Sequence, residues 1–211
     1  VDIGAGPGFS AFAVAPWCDC VIATDVTPQM LEQVRSLRNE RGAPETEMML
    51  VAAEALPYTD GSLDLVVSRT AAHHFVDVES WLTEVKRVLA PKGELILIDT
   101  VSPGSAEARR WMHEIELWRD PSHVMTLSIA EWTSALARAG LRVTSSDTSK
   151  VILEFPDWAE RAGMEEPAMG TLGQAFAEAP NAAVEAFGID AHPDRTIDFY
   201  WPVAVVRAEN Y

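Results

Sequence analysis

The sequence predicts an α/β fold: a Rossmann-like, doubly wound, mostly parallel sheet with an antiparallel C-terminal strand and helical cover segments over its active end. Three observations predict it. Short apolar runs alternate with amphipathic helical stretches through residues 1–100, a glycine-rich turn follows the first run, and Asp25 closes the second. Strands alternating with helices in this way imply parallel pairing through right-handed crossovers.

Each element has its own signal. Residues 1–3 read as the end of a buried strand, Gly4-Ala5-Gly6-Pro7-Gly8 as a tight turn, and residues 9–15 as a helix. Residues 21–25 form a short apolar run ending in an acid, as a buried parallel strand does. Thr27 is placed to cap the next helix, with Pro28 at its first position and Met30, Leu31, Val34 and Leu37 on one face. Residues 48–51 give a third strand, Asp60-Gly61 a turn, and residues 63–68 a fourth strand in which Asp64 reads as a turn or cap residue. Asp77 caps a helix with Val78, Trp81, Leu82, Val85, Val88 and Leu89 on its apolar face. Pro91-Lys92-Gly93 ends that helix, and residues 94–99 are the fifth strand.

The second half has a different texture. Residues 106–119 and 129–139 are helical in pattern, residues 141–155 alternate like a strand, and residues 156–190 carry Ala, Met and Phe without a strand signal. Residues 196–207 close the chain as a strand in which Pro202 requires an edge or a bulge. One domain, residues 1–211, is expected, its N-terminal helices missing because the sequence opens inside a strand. Segments 103–125 and 156–190 are expected to cover the active end and bind substrate.

Composition narrows the partners. The 211 residues include 16 Lys and Arg against 32 Asp and Glu, a formal charge of −16. Such a surface repels phosphate backbones and anionic lipid, so nucleic acid is excluded as the expected partner. Cys18 and Cys20 read as ordinary reduced thiols of a cytoplasmic protein. No apolar run is long enough to span a bilayer, and a homodimer is compatible with the sequence.

The pattern Asp2-x-Gly4-x-Gly6-x-Gly8 lies between a strand and a helix, where glycine lets the backbone turn sharply and approach a ligand. At the end of the second strand, the Asp25 carboxylate is placed to accept both hydroxyls of a ribose. Dehydrogenases share such an acid, but their fingerprint has two residues between the last glycines and this turn has one.

Two further stretches carry a resemblance. They are Ala53-Glu54-Ala55-Leu56-Pro57-Tyr58, continuing to Asp60-Gly61-Ser62-Leu63-Asp64, and Glu84-Val85-Lys86-Arg87-Val88-Leu89-Ala90-Pro91-Lys92-Gly93-Glu94. With the glycine turn they resemble class I S-adenosylmethionine-dependent methyltransferases, particularly the ubiquinone and menaquinone biosynthesis branch. The resemblance is dense over residues 1–100 and thins through Arg119-Asp120-Pro121-Ser122-His123 and Glu131-Trp132. It implies S-adenosyl-L-methionine as cofactor. Asp2, Gly4, Ala5, Gly6 and Gly8 would hold its methionyl end, Asp25 its ribose, and Val26 one adenine face. Ala53 and Glu54 would meet the adenine edge, and Ser68 and Arg69 would line the methyl-donor pocket. Many relatives carry Asp where this chain has Ala52, which removes one bond to the adenine amino group.

Methyl transfer mainly requires alignment and exclusion of water, with a base only where the acceptor must lose a proton. The candidates are His123, beside Asp120, and His73 or His74, which follow the fourth strand. Adjacent histidines point in different directions, so one of that pair at most faces the site. His113 lies mid-helix and reads as a surface or packing residue. No Cys, His or carboxylate cluster has metal-ligand spacing, and no metal is expected. Trp111, Met112, Trp118, Trp158, Met164 and Met169 either form an apolar acceptor pocket or pack the cover helices. The expected activity is methylation of a small, apolar or aromatic metabolite on O, N or C. Two alternatives stand beside it: a binding domain that keeps the cofactor but has lost transfer, and a nicotinamide-dependent oxidoreductase.

Overall fold

Alternating runs of the first hundred residues do become strands and helices in the computed structural model of the protein, which describes residues 1–192 and 196–211. The strands are β1 (Asp2–Ile3), β2 (Ile22–Asp25), β3 (Glu47–Leu50), β4 (Leu63–Arg69), β5 (Leu89–Thr100), β6 (Leu141–Glu154), β7 (Asp190–Ala191) and β8 (Ile197–Asn210). The helices are α1 (Phe9–Val14), α2 (Pro28–Leu37), α3 (Val78–Val88), α4 (Ala106–Arg119), α5 (Ile129–Arg138), α6 (Phe155–Glu160), α7 (Ala168–Ala177) and α8 (Asn181–Phe187). The sheet runs β3-β2-β1-β4-β5-β8-β6, with β7 paired to β8. Strands β3, β2, β1, β4 and β5 pair in parallel. The C-terminal strand β8 is antiparallel, as expected.

Chain order reverses between β1 and β4. In such a sheet that reversal leaves a crevice outside the carboxyl ends of the two strands, where ligands bind.

The chain forms two compact units, one of Val1–Asp99, Ala130–Asp147 and Val205–Tyr211, the other of Thr100–Ile129 and Thr148–Ala204. In the first, Ala11, Phe12 and Val34 pack with Val21 and Ala23 beside β2. Helix α3 buries Trp81, Leu82, Val85 and Val88 completely, and the Trp81 ring meets Trp132 of α5 edge-on at 6.2 Å. The second unit has a separate core, where Met112 and Ile115 of α4 pack with Phe155, Trp158, Leu172, Phe176, Phe187, Phe199 and Trp201. The expected cover segments fall in this unit. Trp111, Met164 and Met169 pack against its core, while Trp118 is exposed.

Several local expectations need correction. Leu89 belongs to β5 and pairs with Leu63, because residues 89–93 fold into an irregular start of the strand. Gly93 is required there, since a Cβ would lie 2.9 Å from the carbonyl oxygens of both Ala90 and Leu63. Asp64 sits within β4, at the break in its register with β5, and is neither turn nor cap. Thr27 occupies the N-cap of α2 without a side-chain capping bond, and its own N–H donates instead to Asp25. Asp77 caps α3 through the Ser80 N–H, as expected. Pro202 is not on an edge, because β8 lies between β5 and β6. Its carbonyl accepts the Val101 N–H at 2.8 Å.

Candidate active site

At the carboxyl end of the first unit's parallel strands, the backbone turns sharply. Gly4, Gly6 and Gly8 all have positive φ, at 66°, 52° and 89°. Gly4 could not be larger, since a Cβ there would come within 2.6 Å of the Ala71 Cβ. Gly6 faces open space, so its glycine answers to backbone conformation alone. The turn is tied down from β2: Ala5 N–H donates to Thr24 O and Gly6 N–H to Asp25 Oδ2, both at 2.8 Å. Asp25 Oδ1 accepts the Thr27 N–H at 2.8 Å. Each oxygen thus takes one backbone bond and keeps a lone pair for a ligand.

Asp2 is the unusual group. It sits in β1, 1% exposed, and its Oδ2 accepts the Ala11 N–H of α1 at 2.9 Å. Its Oδ1 is buried with no hydrogen-bond partner among the described residues. Burial pushes its pKa up to about 7, against the opposing pull of the Ala11 N–H, the chain's amino group and Arg69. An acceptor atom left without a donor in the interior costs stability, and a ligand cation would complete it.

Apolar surface is exposed beside these polar groups. Val26 is 65% exposed directly after Asp25, and Leu50, paired with Asp25 in the sheet, is exposed as well. Sequence reasoning named Val26 and missed Leu50, whose position at the end of β3 was the available signal.

Residues 1–97 match the family described as a methyltransferase domain. An uncharacterized methyltransferase of Bacillus subtilis, YcgJ, is 33% identical over 163 residues, 77% of this chain and 64% of that protein. Its crystal structure superimposes with a TM-score of 0.92, covering 99% of this chain and 89% of the other at 29% identity. The uncharacterized protein YafE of Escherichia coli is 36% identical over 75% of this chain and 76% of its own length. A demethylmenaquinone methyltransferase of Thermus thermophilus is 34% identical over 49% of this chain and 47% of its own length.

The chain belongs to the class I S-adenosylmethionine-dependent methyltransferases. The nicotinamide alternative falls with that finding, and S-adenosylmethionine is the family's cofactor. The residues present fit it. The orphaned Asp2 Oδ1 suits the methionyl ammonium, the Gly4–Gly8 backbone its carboxylate, the remaining lone pairs of Asp25 the ribose hydroxyls, and exposed Val26 an adenine face.

Other expected site residues are placed as follows. Arg69 Nε donates to Ser10 Oγ at 3.1 Å, tying the end of β4 to α1. Ser68 is fully buried, and its Oγ has no partner among the described residues. Ala53 is buried, and Glu54 Oε1 accepts the Asp77 N–H at 3.4 Å, linking the loop after β3 to the cap of α3.

After β4, residues 70–75 fold back on the glycine turn. Thr70 takes a positive φ of 53°, Ala71 packs on Gly4, and Phe75 lies 4.8 Å from the Trp81 ring. This loop carries His73 and His74, whose rings are tilted 45° at 4.2 Å. His73 Nδ1 lies 2.6 Å from Asp99 Oδ1, and its backbone N–H donates to Asp99 Oδ2 at 3.1 Å. Asp99 is 1% exposed near the end of β5. Sequence reasoning missed it, because 26 residues separate the pair and only the parallel β4–β5 register brings them together.

His123 belongs to the second unit and is 4% exposed. Its backbone N–H donates to Asp120 O, and its ring lies 5.4 Å from His113. Asp120 Oδ1 accepts both the N–H and the hydroxyl of Ser122, a local turn. The described residues include no group of three or more His, Cys, Asp or Glu able to hold a metal, and no helix long and apolar enough to cross a membrane.

Proposed function

We propose that this protein transfers a methyl group from S-adenosylmethionine to a small-molecule acceptor, and that His73, positioned by Asp99, removes the acceptor's proton. The 2.6 Å contact between His73 Nδ1 and the buried Asp99 carboxylate carries this reading. When bound, S-adenosylmethionine supplies a methyl carbon activated by its sulfonium. The chain's residues do the rest. Asp2, Asp25 and the glycine turn fix the donor's two ends, and the loop of residues 70–75 sits against Gly4. With Nδ1–H facing Asp99, the His73 ring presents Nε2 as its proton acceptor, and the buried carboxylate stabilises the imidazolium that forms. Asp99 acts through His73 as a positioning residue.

A small acceptor is supported by the net charge of −16, which disfavours nucleic acid, and by similarity to a demethylmenaquinone methyltransferase. An apolar or aromatic metabolite accepting on O, N or C suits both. The free Cys18 and Cys20 suit a cytoplasmic location.

The test is labelled-methyl transfer to a panel of small phenols, hydroxy acids and amines. His73→Ala should lower kcat by about 10²–10⁴-fold on a substrate found this way, with affinity for S-adenosylhomocysteine retained. Alanine at His74 or His123 should leave kcat within about threefold. Turnover by His73→Ala within that range would remove the base role. Transfer to no panel member, with the cofactor bound, would remove the small-acceptor reading.

A further inference from the structure

The second unit holds a cleft lined entirely by its own residues. It has a volume of about 150 Å³ and is lined by Ser102, Arg109, Arg110, His113, Met125 and Thr126. Arg109 and His113 lie one helical turn apart on α4, and Arg110 is next to them in sequence. The Ser102 N–H donates to Leu127 O at 3.1 Å, which holds Ser102 near Thr126.

Two features point to an anion. Arg110 and His113 make no hydrogen bond or ion pair among the described residues, in a chain with twice as many carboxylates as Lys and Arg. Ser102, 7% exposed, has a buried Oγ with no partner among the described residues. Guanidinium, imidazole and two hydroxyls around one cavity match the oxygens of a carboxylate or phosphate. Met125, 49% exposed, offers an apolar flank. Volume limits what enters. A cavity of this size accepts roughly one benzene-sized group, well short of the 300–1,000 Å³ of a site for a whole drug-sized ligand.

We propose that this cleft binds the oxyanion end of a small organic acid. The inference rests on the small-molecule reading above and narrows it: a ligand that is also the methyl acceptor makes the acceptor an acid. Benzoate, phenyl phosphate and neutral benzamide are suitable probes, titrated by calorimetry against the wild-type protein, Arg110→Gln and His113→Gln. The two anions should bind the wild type at least tenfold more tightly than benzamide, and each substitution should weaken them about three- to tenfold. S-adenosylhomocysteine affinity, measured on the same samples, should not change. Equal binding of benzamide, anion affinities unaltered by both substitutions, or no anion binding would overturn the proposal. Failure of the donor site would show separately, as lost S-adenosylhomocysteine binding by the wild type. In the transfer assay, inhibition by benzoate competitive with the acceptor identifies the acceptor's own subsite. Inhibition or activation that is not competitive with the acceptor identifies a separate effector.

Discussion

The two compact units solve the problem of a buried interior in opposite ways. The first keeps three carboxylates, Asp2, Asp25 and Asp99, buried at or near the ends of parallel strands. The second fills its core with rings, Phe187 against Trp201 at 4.7 Å and Phe176 against Phe199 at 4.8 Å. Burying a charge costs stability unless it is paired, whereas burying a ring contributes stability directly. Asp2 shows the cost. Its folded pKa of about 7 lies above the unfolded value, so its contribution to stability is greatest at low pH. That contribution is lost as pH rises through 7. The first unit thus spends stability on buried carboxylates, and these are the groups proposed above to hold the donor and to position His73.

The ring cluster should show the largest effect of substitution. Phe176→Ala removes a side chain 1% exposed that contacts Trp111, Phe155, Trp158 and Phe199. It should destabilise the protein by about 3–5 kcal/mol in denaturant titration. A loss under about 1 kcal/mol would mean that the second unit is held together by something other than this cluster.

A smaller effect sharpens the other side. Asp25→Ala should weaken S-adenosylhomocysteine binding by about 1.5–3 kcal/mol in calorimetry, by removing a charge-assisted acceptor and the anchor of Gly6. Unchanged affinity would separate Asp25 from the donor site.

Much of the first unit was legible in the sequence, and the reason is physical. A parallel strand buried on both faces must be a short apolar run, and the crossover helices must be amphipathic, so β1, β2, β4 and α3 announce themselves. The glycine turn and Asp25 were legible because few backbones tolerate three positive-φ residues so close together. Asp99 was not, since its meaning comes from pairing between strands, and a lone acid at a strand end has no local signature. The start of β5 was misplaced because Pro91-Lys92-Gly93 has turn composition and adopts a turn-like backbone, with Lys92 at a φ of 68°, inside a strand. The second unit gave only helices and aromatic content, and its ring cluster arises from packing among segments distant in sequence.

Asp2 and the glycine turn are proposed to form the methyl-donor site, with the orphaned Asp2 oxygen completed by the donor's ammonium group. Calorimetric titration of S-adenosylhomocysteine across pH 6–8, on the wild type and on Asp2→Asn, tests it most directly. A carboxyl group with a pKa of about 7 is mostly ionised at pH 8 and mostly neutral at pH 6. Wild-type affinity should therefore rise about tenfold over that interval, while Asp2→Asn should bind more weakly at pH 8 and show no such rise. A wild-type affinity flat with pH, or an Asp2→Asn protein that binds as tightly as the wild type at pH 8, would contradict the claim.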